Sequence, residues 1–146
     1  MSRALSKGRA LIYTDGACSR NGQGSSAKAG IGVFWPNNPE NNISEPMDGR
    51  ATNQRAEIEA ARRGIEQARS QGYDEVIVRT DSQYVKNAVE SWLPNWERSN
   101  WSRKVINKLE FQNLRDSMEG IKVCFEKVPS SLNAADPLAR NGVRRS

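Results

Sequence analysis

The sequence predicts an α/β domain in which helices flank a mixed five-stranded sheet, with an antiparallel three-strand meander joined to parallel strands. Short apolar runs of strand length alternate with longer stretches whose apolar residues recur at helical spacing. The first three runs are separated only by turn residues, whereas helical stretches separate the later ones, which favours parallel pairing. At 146 residues, the chain is expected to form a single domain, residues 1–146.

The meander is predicted from residues 11–14, 29–35 and 42–47. Small and polar residues between the first two runs indicate a loop, and a cluster of Pro and Asn residues separates the second from the third. Residues 1–9 are basic and lack the apolar stretch of a secretory signal. We therefore expect them to form a flexible terminus.

A long helix is predicted over residues 52–70, with Thr52 or Asn53 as its N-cap. Its apolar stripe consists of Ile58, Ala61, Ile65 and Ala68. The remaining predicted elements are a strand at 75–80, a short helix at 83–91, a helix at 103–119, a strand at 121–128 and a last helix at 134–141. The helix at 103–119 is expected to direct Val105, Ile106, Leu109, Leu114 and Met118 inward.

Composition narrows the chemistry available to the chain. Twenty-two Lys and Arg residues against 17 Asp and Glu give a formal net charge of +5, which suits a polyanionic partner. The absence of histidine excludes Ser-His-Asp, Cys-His and His-ligated metal sites. Cys18 and Cys124 are expected to be free thiols in a reducing, intracellular compartment, with nucleus, cytoplasm and mitochondrion all open. No apolar stretch is long enough to predict a membrane span.

Carboxylates are expected to converge at one edge of the sheet. Two apolar runs end at Thr14-Asp15 and Thr80-Asp81, and parallel neighbouring strands bring their carboxyl ends together. Glu57 lies early in the helix between them, and Asp136 begins the last helix. Each residue alone is as easily explained as a turn or capping residue. Together, four carboxylates suit two divalent ions clamping a phosphodiester, and Mg²⁺ prefers such oxygen ligands.

These residues resemble type 1 ribonuclease H over nearly the whole chain, and the segments around residues 92–101 and 105–108 resemble its eukaryotic branch. The resemblance implies an endoribonuclease that hydrolyses the RNA strand of an RNA/DNA hybrid by a two-metal mechanism and leaves 5′-phosphate and 3′-hydroxyl ends. It also implies Mg²⁺, with Mn²⁺ as a substitute, and a monomeric protein. The matching strings are Tyr13-Thr14-Asp15-Gly16-Ala17-Cys18, Ala29-Gly30-Ile31-Gly32-Val33, Thr52-Asn53-Gln54-Arg55-Ala56-Glu57, Thr80-Asp81-Ser82, and Ala135-Asp136 followed by Leu138-Ala139-Arg140.

The resemblance also implies roles for individual residues. The catalytic, metal-binding carboxylates correspond to Asp15, Glu57, Asp81 and Asp136. The residues that read the hybrid minor groove correspond to Asn21, Asn53 and Gln54, whose amides can donate to and accept from the RNA 2′-hydroxyl. The DNA-phosphate pocket corresponds to Arg50, Thr52 and Asn107, and the DNA channel to Trp92 and Trp96. Core packing remains an alternative for the tryptophans, and turn or cap roles for the amides.

Three departures from the family pattern bear on the activity. The loop before Asp136 is short and lacks the histidine that many relatives carry, which predicts slower turnover rather than a dead site. Pro137 predicts that Asp136 is an N-cap, a role that competes with metal binding. The basic loop after Trp101 is also trimmed. The departures leave open a hybrid-binding protein with weak or lost catalysis. A ribonuclease H-like module of a larger polymerase or integrase is a separate alternative.

Overall fold

The computed structural model describes residues 7–19, 27–101 and 105–145. Its five strands form one sheet with the spatial order β3-β2-β1-β4-β5. The first three pair antiparallel, and β4 pairs parallel with both β1 and β5. The predicted fold class is confirmed. The strands are β1 (Arg9–Cys18), β2 (Ala29–Phe34), β3 (Ile43–Met47), β4 (Glu75–Thr80) and β5 (Lys122–Lys127).

Helices cover both faces of this sheet. They are α1 (Asn53–Ser70), α2 (Gln83–Asn87), α3 (Leu93–Arg98), α4 (Lys108–Ser117) and α5 (Asp136–Arg144). A π-helical turn, Ala88–Trp92, joins α2 to α3, and short 3₁₀ turns lie at Pro39–Asn41 and Ser130–Leu132. None of the helices in the described part of the chain combines the length and the apolar character needed to cross a membrane.

Strand β1 is longer than the sequence predicts at both of its ends. Its parallel pairing with β4 stops at Tyr13, but its antiparallel pairing with β2 continues to Cys18. The loop predicted between the first two apolar runs therefore does not include residues up to Cys18, because pairing with β2 keeps this segment extended. Asp15 consequently lies within a strand, just beyond the end of the β1–β4 ladder.

The predicted flexible terminus of residues 1–9 is also wrong at its C-terminal boundary. Arg9 begins β1 and pairs with Glu75 of β4, and the Lys7 amide donates to the carbonyl of Gly72 at 3.3 Å. The Gly8 carbonyl accepts the amide of Asp74 at 3.0 Å. Backbone hydrogen bonds therefore hold the chain in place from residue 7, and the sheet itself begins at Arg9. Residues 1–6 lie outside the described residues.

Helix α1 provides most of the core that lies against one sheet face. Its predicted stripe of Ile58, Ala61, Ile65 and Ala68 is fully buried, which confirms that prediction. The Thr52 hydroxyl accepts the Arg55 amide at 3.1 Å and caps the helix. The apolar residues that pack against α1 include Ile12, Val33, Val76 and Val78.

Helix α5 packs on the opposite sheet face, where β2 presents glycines. A Cβ atom at Gly32 would lie 2.5 Å from the carbonyl oxygen of Ala135, so the helix can approach only because no side chain is present. Pairing places Gly32 opposite Asp15. This contact therefore fixes the first turn of α5 beside the predicted acidic site.

The segment between β4 and β5 differs most from the sequence prediction. The helix predicted to end near residue 91 continues through the π turn into α3, so the tryptophan-rich segment is helical. Helix α4 begins at Lys108 instead of residue 103, and residues 102–104 lie outside the described range. Leu114 is buried as predicted, but Ile106 and Leu109 are 72% and 63% exposed. Their inward assignment is wrong because Asn107, with a φ of 60°, breaks the helical phase before α4 begins.

Candidate metal centre and nucleic-acid interface

Asp15 and Asp81 stand at the same level of two neighbouring parallel strands. Tyr13 pairs with Arg79 at the end of the β1–β4 ladder, and each aspartate lies two residues beyond its member of that pair. Asp15 is buried, with 5% of its surface exposed, whereas Asp81 is half-buried. The parallel register thus brings together two carboxylates that are distant along the chain.

Gly16 joins the strand to the helix that carries Glu57. Its amide donates to Glu57 Oε1 at 2.7 Å and to Asp15 Oδ1 at 3.0 Å. A Cβ atom at Gly16 would lie only 2.4 Å from the backbone carbon of Ala56, so the first turns of α1 require glycine at this position. One backbone N–H thus holds two of the predicted carboxylates side by side.

Asp15, Glu57 and Asp81 form one compact acidic group in which an oxygen of each lies within 4.8 Å of an oxygen of the others. Burial and the nearby Asp81 charge raise the pKa of Asp15 to about 7. Burial and the Asp15 charge likewise raise the pKa of Glu57. Both shifts arise because negative charge is concentrated where water is scarce. A divalent cation fits this group, since its donors are all carboxylate oxygens and its charge would relieve the repulsion.

Asn133, a residue for which no role was predicted, forms hydrogen bonds that support the acidic group. Its side-chain amide nitrogen donates to the Thr14 carbonyl at 3.0 Å and to Asp81 Oδ2 at 3.4 Å. Its side-chain oxygen accepts the Ala135 amide at 3.1 Å, and the residue is only 4% exposed. Asn133 therefore connects the segments that carry Asp15, Asp81 and Asp136. A polar residue between Leu132 and Ala134 was the only sequence signal, and it reads equally well as a turn residue.

Asp136 lies beside the compact group, where its carboxylate interacts with that of Asp15. The predicted N-cap role is wrong: Ala135 occupies the N-cap position, and Asp136 is the first residue of α5, with Pro137 after it. Its Oδ2 pairs with the Arg140 guanidinium at 2.7 Å instead of with backbone amides. The helix begins one residue earlier than Pro137 alone suggests because Ala135 already has helical dihedral angles.

The predicted minor-groove residues lie at the start of α1. Asn53 and Gln54 are exposed in its first turn, one turn before Glu57. The third predicted residue, Asn21, lies outside the described residues.

Two of the three residues predicted to bind a phosphate, Arg50 and Asn107, contact each other. Arg50 donates to Asn107 Oδ1 at 3.4 Å, and Asn107 in turn donates to the Tyr84 hydroxyl at 3.2 Å. Thr52 lies two residues after Arg50, with its hydroxyl used as the α1 cap. Asn107 is 9% exposed and has a left-handed backbone conformation at the start of α4.

An ion pair that no sequence pattern predicted lies next to Arg50. Arg55 of α1 pairs with Glu110 of α4 at 2.7 Å and also donates to the Arg50 carbonyl. Burial raises the pKa of Glu110, but the Arg55 hydrogen bond and charge outweigh that effect and leave the pKa lowered. The pair therefore ties the segment carrying Arg50 to both helices.

Trp92 and Trp96 lie together on the surface next to α2, with ring centroids 6.1 Å apart. Trp92 is 37% exposed and contacts Tyr84, whereas Trp96 packs against Phe111 at 5.4 Å. A groove of about 350 Å³ is lined by Trp92, Asn95, Trp96 and Ser99. Trp92 therefore offers an open aromatic face, and Trp96 is shared between the groove and the core.

Comparison with known proteins identifies this arrangement of fold and acidic group. The family model described as RNase H matches residues 7–144. The chain belongs to the RNase H family. Ribonuclease H1 of Homo sapiens is 37% identical over 145 residues, and that of Mus musculus is equally similar. Each alignment covers 93% of this RNase H chain and 50% of the relative, so the chain spans about half the length of these curated relatives.

Solved structures agree with this assignment. RNase H1 from Halobacterium salinarum is 25% identical, with a TM-score of 0.70, over 94% of this chain and 99% of that one. LC11-RNase H1, solved in complex with an RNA/DNA hybrid, is 26% identical, with a TM-score of 0.73, over 92% and 96% of the two chains. The mixed sheet and its helices are thus those of the RNase H fold.

Proposed function

We propose that this chain is an endoribonuclease that hydrolyses the RNA strand of RNA/DNA hybrids and leaves 5′-phosphate and 3′-hydroxyl ends. The observation that carries the proposal is the compact group of Asp15, Glu57 and Asp81 in a chain of the RNase H family. These donors suit Mg²⁺, with Mn²⁺ as a substitute ion.

Four carboxylates would hold two ions in this proposal: the compact group and, beside it, Asp136. When bound, the ions would lower the pKa of a water molecule and stabilise charge on the leaving oxygen. The chain's own contribution is to hold the carboxylates in place before metal arrives. Gly16 fixes Asp15 and Glu57, and Asn133 fixes Asp81.

Recognition of the hybrid would use residues on both sides of this group. Asn53 and Gln54, exposed in the first turn of α1, would contact the RNA 2′-hydroxyls in the minor groove, together with Asn21. Arg50, Thr52 and Asn107 would bind a phosphate of the DNA strand, since a guanidinium fork suits phosphate oxygens. The open face of Trp92, with Trp96, would line the DNA path.

Cleavage of an RNA/DNA hybrid with labelled RNA tests this function. We expect cleavage with Mg²⁺ or Mn²⁺, none with a chelator, and none of duplex RNA or duplex DNA. Asp81→Asn should lower the cleavage rate at least about a hundredfold, because the variant loses a carboxylate ligand to the divalent ions that stabilise the transition state. Asp116→Asn, which changes an exposed carboxylate on α4, is the matched control. A folded wild-type protein that is inert with both metals would refute the proposal.

One observation favours a second candidate function, hybrid binding with weak or lost catalysis. Asp136 is paired with Arg140 beside the compact group, and the loop before it is short and lacks histidine. A wild-type rate close to that of Asp81→Asn, with intact hybrid binding, would support this alternative. Multiple turnover far above that variant would exclude it.

We further propose that the protein acts as a monomer in an intracellular compartment. The two cysteines in the described residues are both free, as expected for a reducing environment. Light scattering at micromolar concentration would test the monomeric state, and a second species of twice the mass would contradict it.

A further inference from the structure

The ion pair between Asp136 and Arg140 joins the fourth predicted carboxylate ligand to an exposed positive charge. Arg140 Nη2 lies 2.7 Å from Asp136 Oδ2, one helical turn away along α5. The same carboxylate also interacts with that of Asp15. Asp136 thus contacts a guanidinium and interacts with Asp15, a member of the compact group of Asp15, Glu57 and Asp81.

This pair has little to do with holding the fold together. The two side chains are 63% and 40% exposed, and ion pairs so open to water contribute little to stability. Asp136 already benefits from its place in the first turn of α5, where the helix dipole favours an anion without any help from Arg140. The contact therefore matters chiefly for the charge and availability of the Asp136 carboxylate.

We propose that Arg140 competes with the divalent cation for the Asp136 carboxylate and thereby weakens metal binding at the acidic site. The inference rests on the proposed function, in which Asp136 is a metal ligand. A cation bound at Asp136 would share its ligand with a guanidinium, and two positive charges a few ångströms apart repel each other. Metal binding at Asp136 therefore requires either that the Arg140 side chain moves away or that the repulsion lowers the affinity for the ion.

Arg144 supplies a matched control on the same helix. It lies one further turn along α5, on the same side as Arg140, and its guanidinium lies 3.4 Å from Asn141 Oδ1. Arg140→Gln and Arg144→Gln therefore remove the same charge from the same helix, but only the first removes a contact to Asp136. Arg140→Lys retains the charge without the planar fork.

The test is calorimetric titration of the nucleic-acid-free chain with Mn²⁺ alone, at low ionic strength. We expect Arg140→Gln to bind Mn²⁺ about three- to tenfold more tightly than wild type, since a repelling charge is removed. Arg144→Gln should stay within about twofold, because this guanidinium contacts Asn141 and lies a turn further from Asp136. Arg140→Lys should remain close to wild type, and added NaCl should shrink the gain in Arg140→Gln.

A double-mutant cycle ties the effect to Asp136. In the Asp136→Asn background, Arg140→Gln should no longer change Mn²⁺ affinity. Equal affinities of Arg140→Gln and Arg144→Gln, or a gain that survives in the Asp136→Asn background, would overturn the inference while leaving the proposed function intact. A folded wild-type chain that fails to bind Mn²⁺ would overturn both.

Discussion

Asp15 and Gly32 are paired residues of β1 and β2, and the glycine is what lets α5 reach the acidic site. A Cβ atom at Gly32 would lie 2.5 Å from the Ala135 carbonyl and 2.6 Å from the Ala139 amide. These are backbone atoms, which cannot move aside as the end of a flexible side chain can. The strand partner of one carboxylate therefore determines where another, Asp136, is placed.

Gly32→Ala is expected to displace α5 and to destabilise the fold by about 1–3 kcal/mol, the usual cost of forcing extra atoms into a packed region. Urea unfolding measures the stability, and hybrid cleavage measures the displacement of Asp136. Retention of wild-type stability and rate would show that α5 adapts without loss.

Asp15→Asn is expected to stabilise the metal-free protein by about 1–2 kcal/mol, because it removes the most buried of three clustered carboxyl groups that repel one another when ionised. The asparagine oxygen can still accept the Gly16 amide. Thermal unfolding in chelator measures the gain, with Asp116→Asn expected to stay within about 0.5 kcal/mol of wild type as the surface control. Loss of stability in Asp15→Asn would contradict the repulsion argument.

Asn133→Ala is expected to cost about 1–3 kcal/mol, since it leaves the buried Ala135 amide and Thr14 carbonyl without their partner. Because the same side chain holds Asp81, kcat should fall more than KM changes. Asn113→Ala, at an exposed position on α4, controls for loss of an amide. An unchanged kcat in a destabilised protein would mean that Asn133 serves the fold alone.

Trp92→Ala is expected to weaken hybrid binding by about 1–3 kcal/mol, because an exposed aromatic face for the DNA strand is lost. Its effect on stability should be smaller than that of Trp96→Ala, which removes packing against Phe111 and should cost about 3 kcal/mol. Hybrid affinity and urea unfolding, measured on both variants, separate the two roles. Equal losses of stability would contradict the assignment of Trp92 to the groove.

The Arg55–Glu110 pair is expected to make stability depend on pH in acid. Because the folded pKa of Glu110 is lowered, its contribution is fully present above the unfolded value of about 4.3 and is lost as the pH falls through the folded pKa. At pH 7, Glu110→Gln should cost about 0.5–1 kcal/mol after solvent screening, and the difference from wild type should be smaller at pH 3, which lies below the unfolded pKa. Urea unfolding at both values measures it; a constant difference would exclude the pair as its source.

Local sequence patterns were sufficient where a structural feature depends on neighbouring residues. Helix α1, its Thr52 cap and its apolar stripe follow from spacing, and Glu57 follows from them. The extension of β1 to Cys18 could not be predicted in this way, because pairing with β2 holds a polar segment that has little strand character of its own.

The periphery of the site was less predictable for the same reason. The role of Asn133 depends on a loop path that brings it beside Thr14, which is far away in sequence. The partner of Asp136 could have been foreseen from the helical spacing to Arg140, but Pro137 favoured a capping interpretation instead. Asn107 likewise ends a regular apolar pattern through a backbone conformation that the pattern does not reveal.

The π turn at Ala88–Trp92 changes the direction in which the side chains of the following helix point. A π turn accommodates one more residue than an α-helical turn, and each α-helical residue advances the helix by about 100°. Everything from Leu93 onward is therefore rotated relative to an uninterrupted helix that starts at Gln83. Removing one residue from this turn would rotate Trp96 away from Phe111 without altering any aromatic residue. Trp92 is thus exposed and Trp96 packed against Phe111 because one additional residue in the π turn shifts the helical phase between them.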